Sequence, residues 1–315
     1  MDLAAALDVG SNTLRLLIAR VQNGRLRPVL LDREVTRLSQ HLTPGGRLDP
    51  AAQERALRTL ARFAGRIKKE GVSRVFGGAT AWARLAADGG RFLERVRAET
   101  GLDLSLLSGR EEARLTALGV LSGLKETPDR ALVVDPGGQS SEFTLLEAGR
   151  PGEGLSLDLG VVSLLERHLR RDPPLAMEMA GLKAEVVRRL GEVKAAFAPA
   201  PELRLVGTAG TVTTIAAMIL ELRDYDPARV TGARLKLEQV AGLLDRLLAM
   251  PAARRLDLPG LEPGREDVIV PGLVLVQSLL EEYSQNEMLV VDAGLLEGLI
   301  LAGLQEAGLN EAGGA

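Results

Sequence analysis

Three short turns rich in glycine and in hydroxyl or amide side chains each follow an apolar run. They read Asp8-Val9-Gly10-Ser11-Asn12-Thr13, Asp135-Pro136-Gly137-Gly138-Gln139-Ser140-Ser141-Glu142 and Gly207-Thr208-Ala209-Gly210-Thr211. Glycine lets the main chain approach an oxyanion, and successive N–H groups with neighbouring hydroxyls can then donate to its oxygens. The residues from Thr211 onward have a helical pattern, so a helix N-terminus would add its dipole to the third turn. One such turn is more often a plain hairpin or strand-to-helix connection, but three in one chain point to a phosphate-type ligand. The candidate anion-binding residues are Gly10, Ser11 and Asn12, then Gly137, Gly138, Gln139 and Ser140, then Gly207 and Thr208.

The acids add a second constraint. Asp8 and Asp135 stand at strand ends and Glu142 follows in the second turn. Hard oxygen ligands beside phosphate-binding turns suit Mg²⁺, whereas the structural alternative is that they only cap turns. Carboxylates beside an anion would repel it, so a cation makes the combination coherent. Ser108 and Glu111 match the S-x-x-E capping box, which accounts for Glu111 without function. Glu112 lacks that explanation and is a candidate to deprotonate a water, although acids in a first helical turn also simply complement the dipole. Arg84, four residues after Thr80, could set its guanidinium fork on phosphate oxygens with the Thr80 hydroxyl as a further donor; the alternative is a solvated arginine.

Other chemistries are disfavoured by composition. There is no cysteine, so thiol nucleophiles, disulfides and zinc-thiolate sites are excluded, and only His41 and His168 could supply imidazole. His41 lies in a loop-like stretch and His168 on a polar helix, where it reads as a surface residue. With 42 acids against 39 bases and 3% aromatics, the chain has neither the charge nor the stacking faces of a nucleic-acid platform. No apolar run reaches the roughly 18 residues of a membrane span and no secretory leader is evident, so the expectation is a cytoplasmic protein with no membrane partner.

The elements that must position these residues follow from pattern. Leu3 to Val9, Thr13 to Val21 and Leu26 to Leu31 predict an antiparallel meander, with a turn at Gln22-Asn23-Gly24. Asp49-Pro50 predicts a capped helix that ends before Gly71. A strand over 72–76, a helix over 91–99, a strand over 104–107 and a helix over 111–121 complete a β-β-β-α-β-α-β-α order. The strand over 131–134, its Asp135-Gly137 turn and the strand over 141–147 then repeat the beginning of the chain. At 315 residues, about twice a usual domain of roughly 150, this suggests two related domains meeting near 123–128. The last residues, 308–315, read as a frayed tail.

Taken in order, these segments resemble the exopolyphosphatase and guanosine pentaphosphate phosphatase (Ppx/GppA) family of the actin-like superfamily. The segments that carry the resemblance are ALDVGSNTLRLLI, GGATAWARLA, LLSGREEARLTALGV, VVDPGGQSSEFTLLE, LSLDLGVVSLLERHL, VGTAGTVTTIAAM, LPGLEPGREDVIVPGLVL and VVDAGLLEGLI. The resemblance implies an α/β fold of two actin-like, ribonuclease H-like domains with an interdomain cleft, 1–124 completed by a C-terminal helix near 295–307, and 125–294. It implies Glu112 as general base, Arg84 as a phosphate-contacting catalytic arginine, and Asp135 and Glu142 at the metal and phosphate site, to which the residue reading above adds Asp8. It further implies Mg²⁺, with Mn²⁺ as a substitute, polyphosphate or guanosine pentaphosphate as substrate, and room for a homodimer.

Two positions depart from the family pattern. The second loop reads DPGGQSSE where the family has Asp-Ile-Gly-Gly-Gly-Ser-Thr-Glu, so Pro136 removes a donor and Gln139 would be strained if its place required positive φ. Leu296 stands where the family commonly has arginine. The rival readings are an actin-like ATPase or sugar kinase, and a catalytically weak polyphosphate or alarmone sensor.

Overall fold

The computed structural model describes residues 3–22 and 25–308. The chain divides into two compact units, Met1–Ser122 with Ala293–Ala315, and Gly123–Asp292. Asn23, Gly24 and 309–315, to which a turn and most of the frayed tail were assigned, lie outside the described residues.

In unit 1 the meander is β1 (Leu3–Val9), β2 (Thr13–Gln22) and β3 (Arg25–Val35), followed by α1 (Pro50–Lys69) and β4 (Arg74–Ala79). Then come α2 (Ala81–Leu85), α3 (Gly89–Thr100), β5 (Ser105–Leu106) and α4 (Gly109–Gly123). The sheet order is β3-β2-β1-β4-β5, antiparallel within the meander and parallel from β1 to β5. Asp49 caps α1 by accepting from the Ala52 N–H at 2.8 Å, with Pro50 at the first helical position. Strand β4 begins two residues later than the apolar run predicts. The Val72 N–H still bonds back to the Ile67 carbonyl, so the helix end consumes the start of that run. Strand β5 keeps only Ser105 and Leu106 of 104–107. Between the sheet and α1 and α3 lies an apolar core centred on Leu7, Leu16, Leu60, Phe63 and Trp82.

Unit 2 opens with β6 (Arg130–Pro136), β7 (Ser141–Glu147) and β8 (Arg150–Leu157), then α5 (Val161–His168), α6 (Ala176–Ala196) and β9 (Arg204–Gly207). It continues through α7 (Ala209–Ile219), α8 (Pro227–Val230), β10 (Arg234–Lys236), α9 (Leu237–Leu248), α10 (Ala252–Arg255), α11 (Ile269–Glu282) and β11 (Glu287–Val290). The sheet order is β10-β11-β9-β6-β7-β8. Strand β8 was not foreseen, because Arg150-Pro151-Gly152-Glu153-Gly154 lacks a β pattern. Its pairing is imposed by the turn at Ala148 and Gly149, whose φ of 48° and 73° are the left-handed pair that a two-residue hairpin uses.

The second meander repeats the first, and in both units the next strand pairs in parallel with the first strand of the meander. The α/β, actin-like architecture implied by the resemblance is therefore observed in each unit. The last helix, α12 (Leu295–Glu306), packs on β1, β2 and β4 of unit 1. It touches α4 backbone to backbone: a Cβ on Gly298 would lie 1.8 Å from the Leu115 carbonyl oxygen, and one on Gly119 would lie 1.8 Å from that of Gly294. Among the described residues no helix is long and apolar enough to cross a membrane.

Candidate active site

The first turn is built so that its carbonyls are spent within the protein. The Val9 carbonyl accepts from the indole of Trp82 at 2.6 Å, that of Ser11 from the Ser39 N–H at 3.0 Å, and that of Asn12 from the N–H groups of Thr36 and Arg37, both at 2.9 Å. The Thr13 carbonyl accepts from Gly10 at 3.2 Å. Among the described residues the Ser11 and Asn12 amides donate no hydrogen bond. Engaged carbonyls at Ser11, Asn12 and Thr13 beside unspent amides at Ser11 and Asn12 are what an anion requires.

Thr80 and Arg84 belong to the short segment after β4. Thr80 is buried and precedes α2, its hydroxyl 3.5 Å from the Val9 carbonyl. Arg84 extends from α2 to donate to the Leu107 carbonyl at 2.5 Å and to Glu112 Oε2 at 3.1 Å. Glu112 is buried in the first turn of α4, a helix begun by the reciprocal bonds between Ser108 and Glu111 that the capping box predicts. Those bonds hold the Glu111 carboxyl below its ordinary pKa, the Ser108 hydroxyl being the largest cause. Glu111 is thus the cap, and Glu112 is the acid that reaches the arginine.

Asp8 faces Arg15 across the β1–β2 ladder, and its Oδ2 accepts from Arg15 Nε at 2.9 Å and Nη2 at 2.6 Å. The carboxylate proposed from sequence as a metal ligand is therefore ion-paired within unit 1.

In unit 2 the corresponding places hold two acids, Asp135 opposite Glu142 across β6 and β7. Both are buried. Glu142 Oε1 accepts the hydroxyls of Ser140 at 2.6 Å and Ser156 at 2.8 Å. Like charges directly opposite on adjacent strands are unfavourable, so this arrangement suits a hard cation as counter-charge. Among the described residues no three acids or histidines gather into a larger metal-binding group. Asp135 and Glu142 could offer carboxylate oxygens to an ion such as Mg²⁺, which takes most of its other ligands from water and substrate oxygens.

The second turn repeats the logic of the first. The Gly137, Gly138 and Gln139 carbonyls accept from Val161, Val162 and Gly160 at 2.9, 2.8 and 3.1 Å, while the Gly137, Gly138 and Ser140 amides donate no hydrogen bond among the described residues. Gly160 is obligatory here, since a Cβ would come 2.2 Å from the Gly138 oxygen. Gln139 is buried without positive φ, so the anticipated strain is absent. Pro136 ends β6, where its carbonyl accepts the Thr211 hydroxyl at 2.8 Å.

The third turn is fastened to the second. The Thr208 N–H donates to the Val134 carbonyl at 3.0 Å, and Ala209 starts α7 with a left-handed φ of 65°. Arg265 was quoted in a motif but given no role. It is buried, pairs with Glu262 at 2.9 Å, and lies so close over Gly210 that a Cβ there would meet its Nη2 at 2.5 Å. No spacing rule links positions 210 and 265, so only the fold reveals this contact. His168, expected at the surface, is partly buried and paired with Glu185, which also holds Arg167. His41 lies exposed in a loop.

The sequence model of the Ppx/GppA phosphatase family matches residues 17–307. The chain belongs to the Ppx/GppA phosphatase family. This Ppx/GppA member is 31% identical over 312 residues to Exopolyphosphatase 2 of Mycobacterium tuberculosis, covering 95% of this chain and 97% of that one. Among solved structures it resembles the PPX-GPPA enzyme of Aquifex aeolicus, with TM-score 0.81, 31% identity and coverage of 96% of this chain and 99% of the other. It also resembles an exopolyphosphatase from Cytophaga hutchinsonii, with TM-score 0.88, 25% identity and 97% and 98% coverage. Ppx/GppA membership makes the chain a hydrolytic enzyme of the phosphatase class.

Proposed function

We propose that this enzyme hydrolyses the terminal phosphoanhydride of inorganic polyphosphate and releases orthophosphate. The observation that carries the reading is the repeated loop design, in which residues 11–13 and 137–139 spend their carbonyls on the protein while the Ser11, Asn12, Gly137, Gly138 and Ser140 amides donate to no protein group among the described residues. The names of the relatives support a phosphoanhydride as substrate.

Unit 1 supplies Glu112, which accepts a proton from the attacking water, and Arg84, whose guanidinium exchanges its bond to Glu112 for phosphate oxygens as substrate arrives. That exchange would turn the Glu112 oxygen now held by Arg84 toward the water. Thr80 and the amides of Ser11 and Asn12 hold phosphoryl oxygens. Unit 2 supplies the amides of the second turn, the Ser140 hydroxyl, and the third turn, where Gly207 leaves room for a phosphate oxygen and Thr208 brings its hydroxyl. Asp135 and Glu142 would hold Mg²⁺, with Mn²⁺ as a substitute, and the ion would neutralise phosphate charge. Asp8, the third acid read from the sequence as a metal ligand, is held by Arg15 and would join the ion only by exchanging that bond. The protein's part in such a reaction is positioning and charge stabilisation, with no covalent intermediate required.

The test is orthophosphate release with Mg²⁺ from long polyphosphate, tripolyphosphate and guanosine pentaphosphate in parallel, with Glu112→Gln as the control for contaminating phosphatase. Release from polyphosphate that disappears in the variant supports the proposal. Release from guanosine pentaphosphate alone replaces the substrate, and tight binding without release makes the chain a sensor.

A further inference from the structure

Trp82 is the single tryptophan of the chain. Its side chain is fully buried, its ring meets Phe92 of α3 edge to face with centroids 5.7 Å apart, and its indole N–H donates to the Val9 carbonyl at 2.6 Å. A buried indole needs a partner for its N–H, and this one finds it in the residue that opens the first loop. Here Val9 immediately precedes Gly10, and the same carbonyl is approached by the Thr80 N–H at 3.4 Å and hydroxyl at 3.5 Å.

The other end of the connection is Arg84. Helix α2, Ala81–Leu85, is little more than one turn and so has little helical stability of its own. Its place must come from tertiary contacts, and Trp82 is the large buried side chain that provides them, locked against α3 and the sheet. From the same short helix Arg84 reaches Glu112, so one aromatic ring fastens the start of the loop to the segment that bears the arginine.

We infer that Trp82 is a positioning residue for the reaction: through its bond to Val9 it keeps the first phosphate loop in register with Arg84 and, through Arg84, with Glu112. The inference rests on the phosphate-loop reading proposed above. Trp82 is fully buried in the protein and acts through the residues it holds rather than on the reacting atoms. It acts because misplacing catalytic groups by about 1 Å costs on the order of a hundredfold in rate.

The decisive variant is Trp82→Phe, which keeps an aromatic ring beside Phe92 and removes the N–H. Turnover of polyphosphate and amide hydrogen exchange are compared in the wild type, Trp82→Phe and Phe92→Leu. The expected result for Trp82→Phe is a fall in kcat of about 10- to 100-fold, with KM changed far less. It is accompanied by faster exchange at Gly10 and at Ala83 and Ala86, whose N–H groups bond to Thr13, Thr80 and Trp82 carbonyls. Phe92→Leu, which removes the ring partner but not the indole bond, should lower the melting temperature and leave kcat near the wild-type value. Wild-type kcat in Trp82→Phe, or a lowered kcat with unchanged exchange at these amides, would overturn the inference. If the wild type releases no phosphate from any substrate, the hydrolase reading fails, while joint loosening of Gly10 and residues 83–86 still decides whether Trp82 couples the two segments.

Discussion

Asp8 and Arg15 stand directly opposite each other across two strands of unit 1, ion-paired at 2.6 Å, whereas the same two places in unit 2 hold Asp135 and Glu142. One repeat thus neutralises its strand-end aspartate internally, and the other sets a second buried acid beside it. A duplicated frame thus holds an acid–base pair at these two places in one unit and two acids in the other, and the metal proposal rests on the second.

Mg²⁺ is accordingly expected to stabilise the wild-type protein, by about 2.7 kcal/mol at a hundredfold excess over its Kd. Glu142→Gln removes one of two like charges, so it should unfold at higher temperature than the wild type without Mg²⁺ and gain little when Mg²⁺ is added. Thermal unfolding with and without the ion checks this, and an equal gain in both proteins would dissociate Glu142 from metal binding.

Breaking the other pair should behave in the opposite way. Arg15→Gln leaves the buried Asp8 carboxylate without its ion-pair partner and should cost about 1–3 kcal/mol, below the range for a fully buried pair because Arg15 is partly exposed. Asp8→Asn combined with Arg15→Gln should recover a large part of that loss. Denaturant unfolding of the single and double variants measures the coupling, and additive losses would mean the pair contributes nothing.

The second loop yields a contrast between neighbouring residues. Gly160→Ala forces a Cβ against the Gly138 carbonyl, with an expected cost of about 1–3 kcal/mol and at least a tenfold fall in phosphate release. Gln139→Gly should relieve nothing, because Gln139 is not in the left-handed region, and should lower stability by up to about 1 kcal/mol without raising turnover. A more stable Gln139→Gly protein would show that the glutamine is strained after all.

Alkaline stability is set in part by Tyr283, whose hydroxyl donates to the Phe197 carbonyl at 2.9 Å and whose pKa burial pushes up to about 12. The unfolded phenol releases its proton near 10 while the folded one keeps it. The contribution is therefore complete below pH 10 and fades between 10 and 12, amounting to roughly 2–3 kcal/mol. Tyr283→Phe should lose the dependence of unfolding free energy on pH across that window, as alkaline denaturant titrations would record.

What the sequence determined by itself is local, since it depends on residues a few positions apart. The three glycine-rich turns, the Asp49 cap, the reciprocal bonds of Ser108 and Glu111, and the first meander each close within a short stretch of chain, where residue type and spacing decide geometry. The repetition of the opening motif around Asp135 was legible for the same reason. Tertiary structure decided the partners: that Arg84 grips Glu112, that Arg265 covers Gly210, and that Trp82 fastens Val9. Those contacts join positions tens of residues apart. Their formation rests on which strands pair and which helices cover them, and no single segment encodes that.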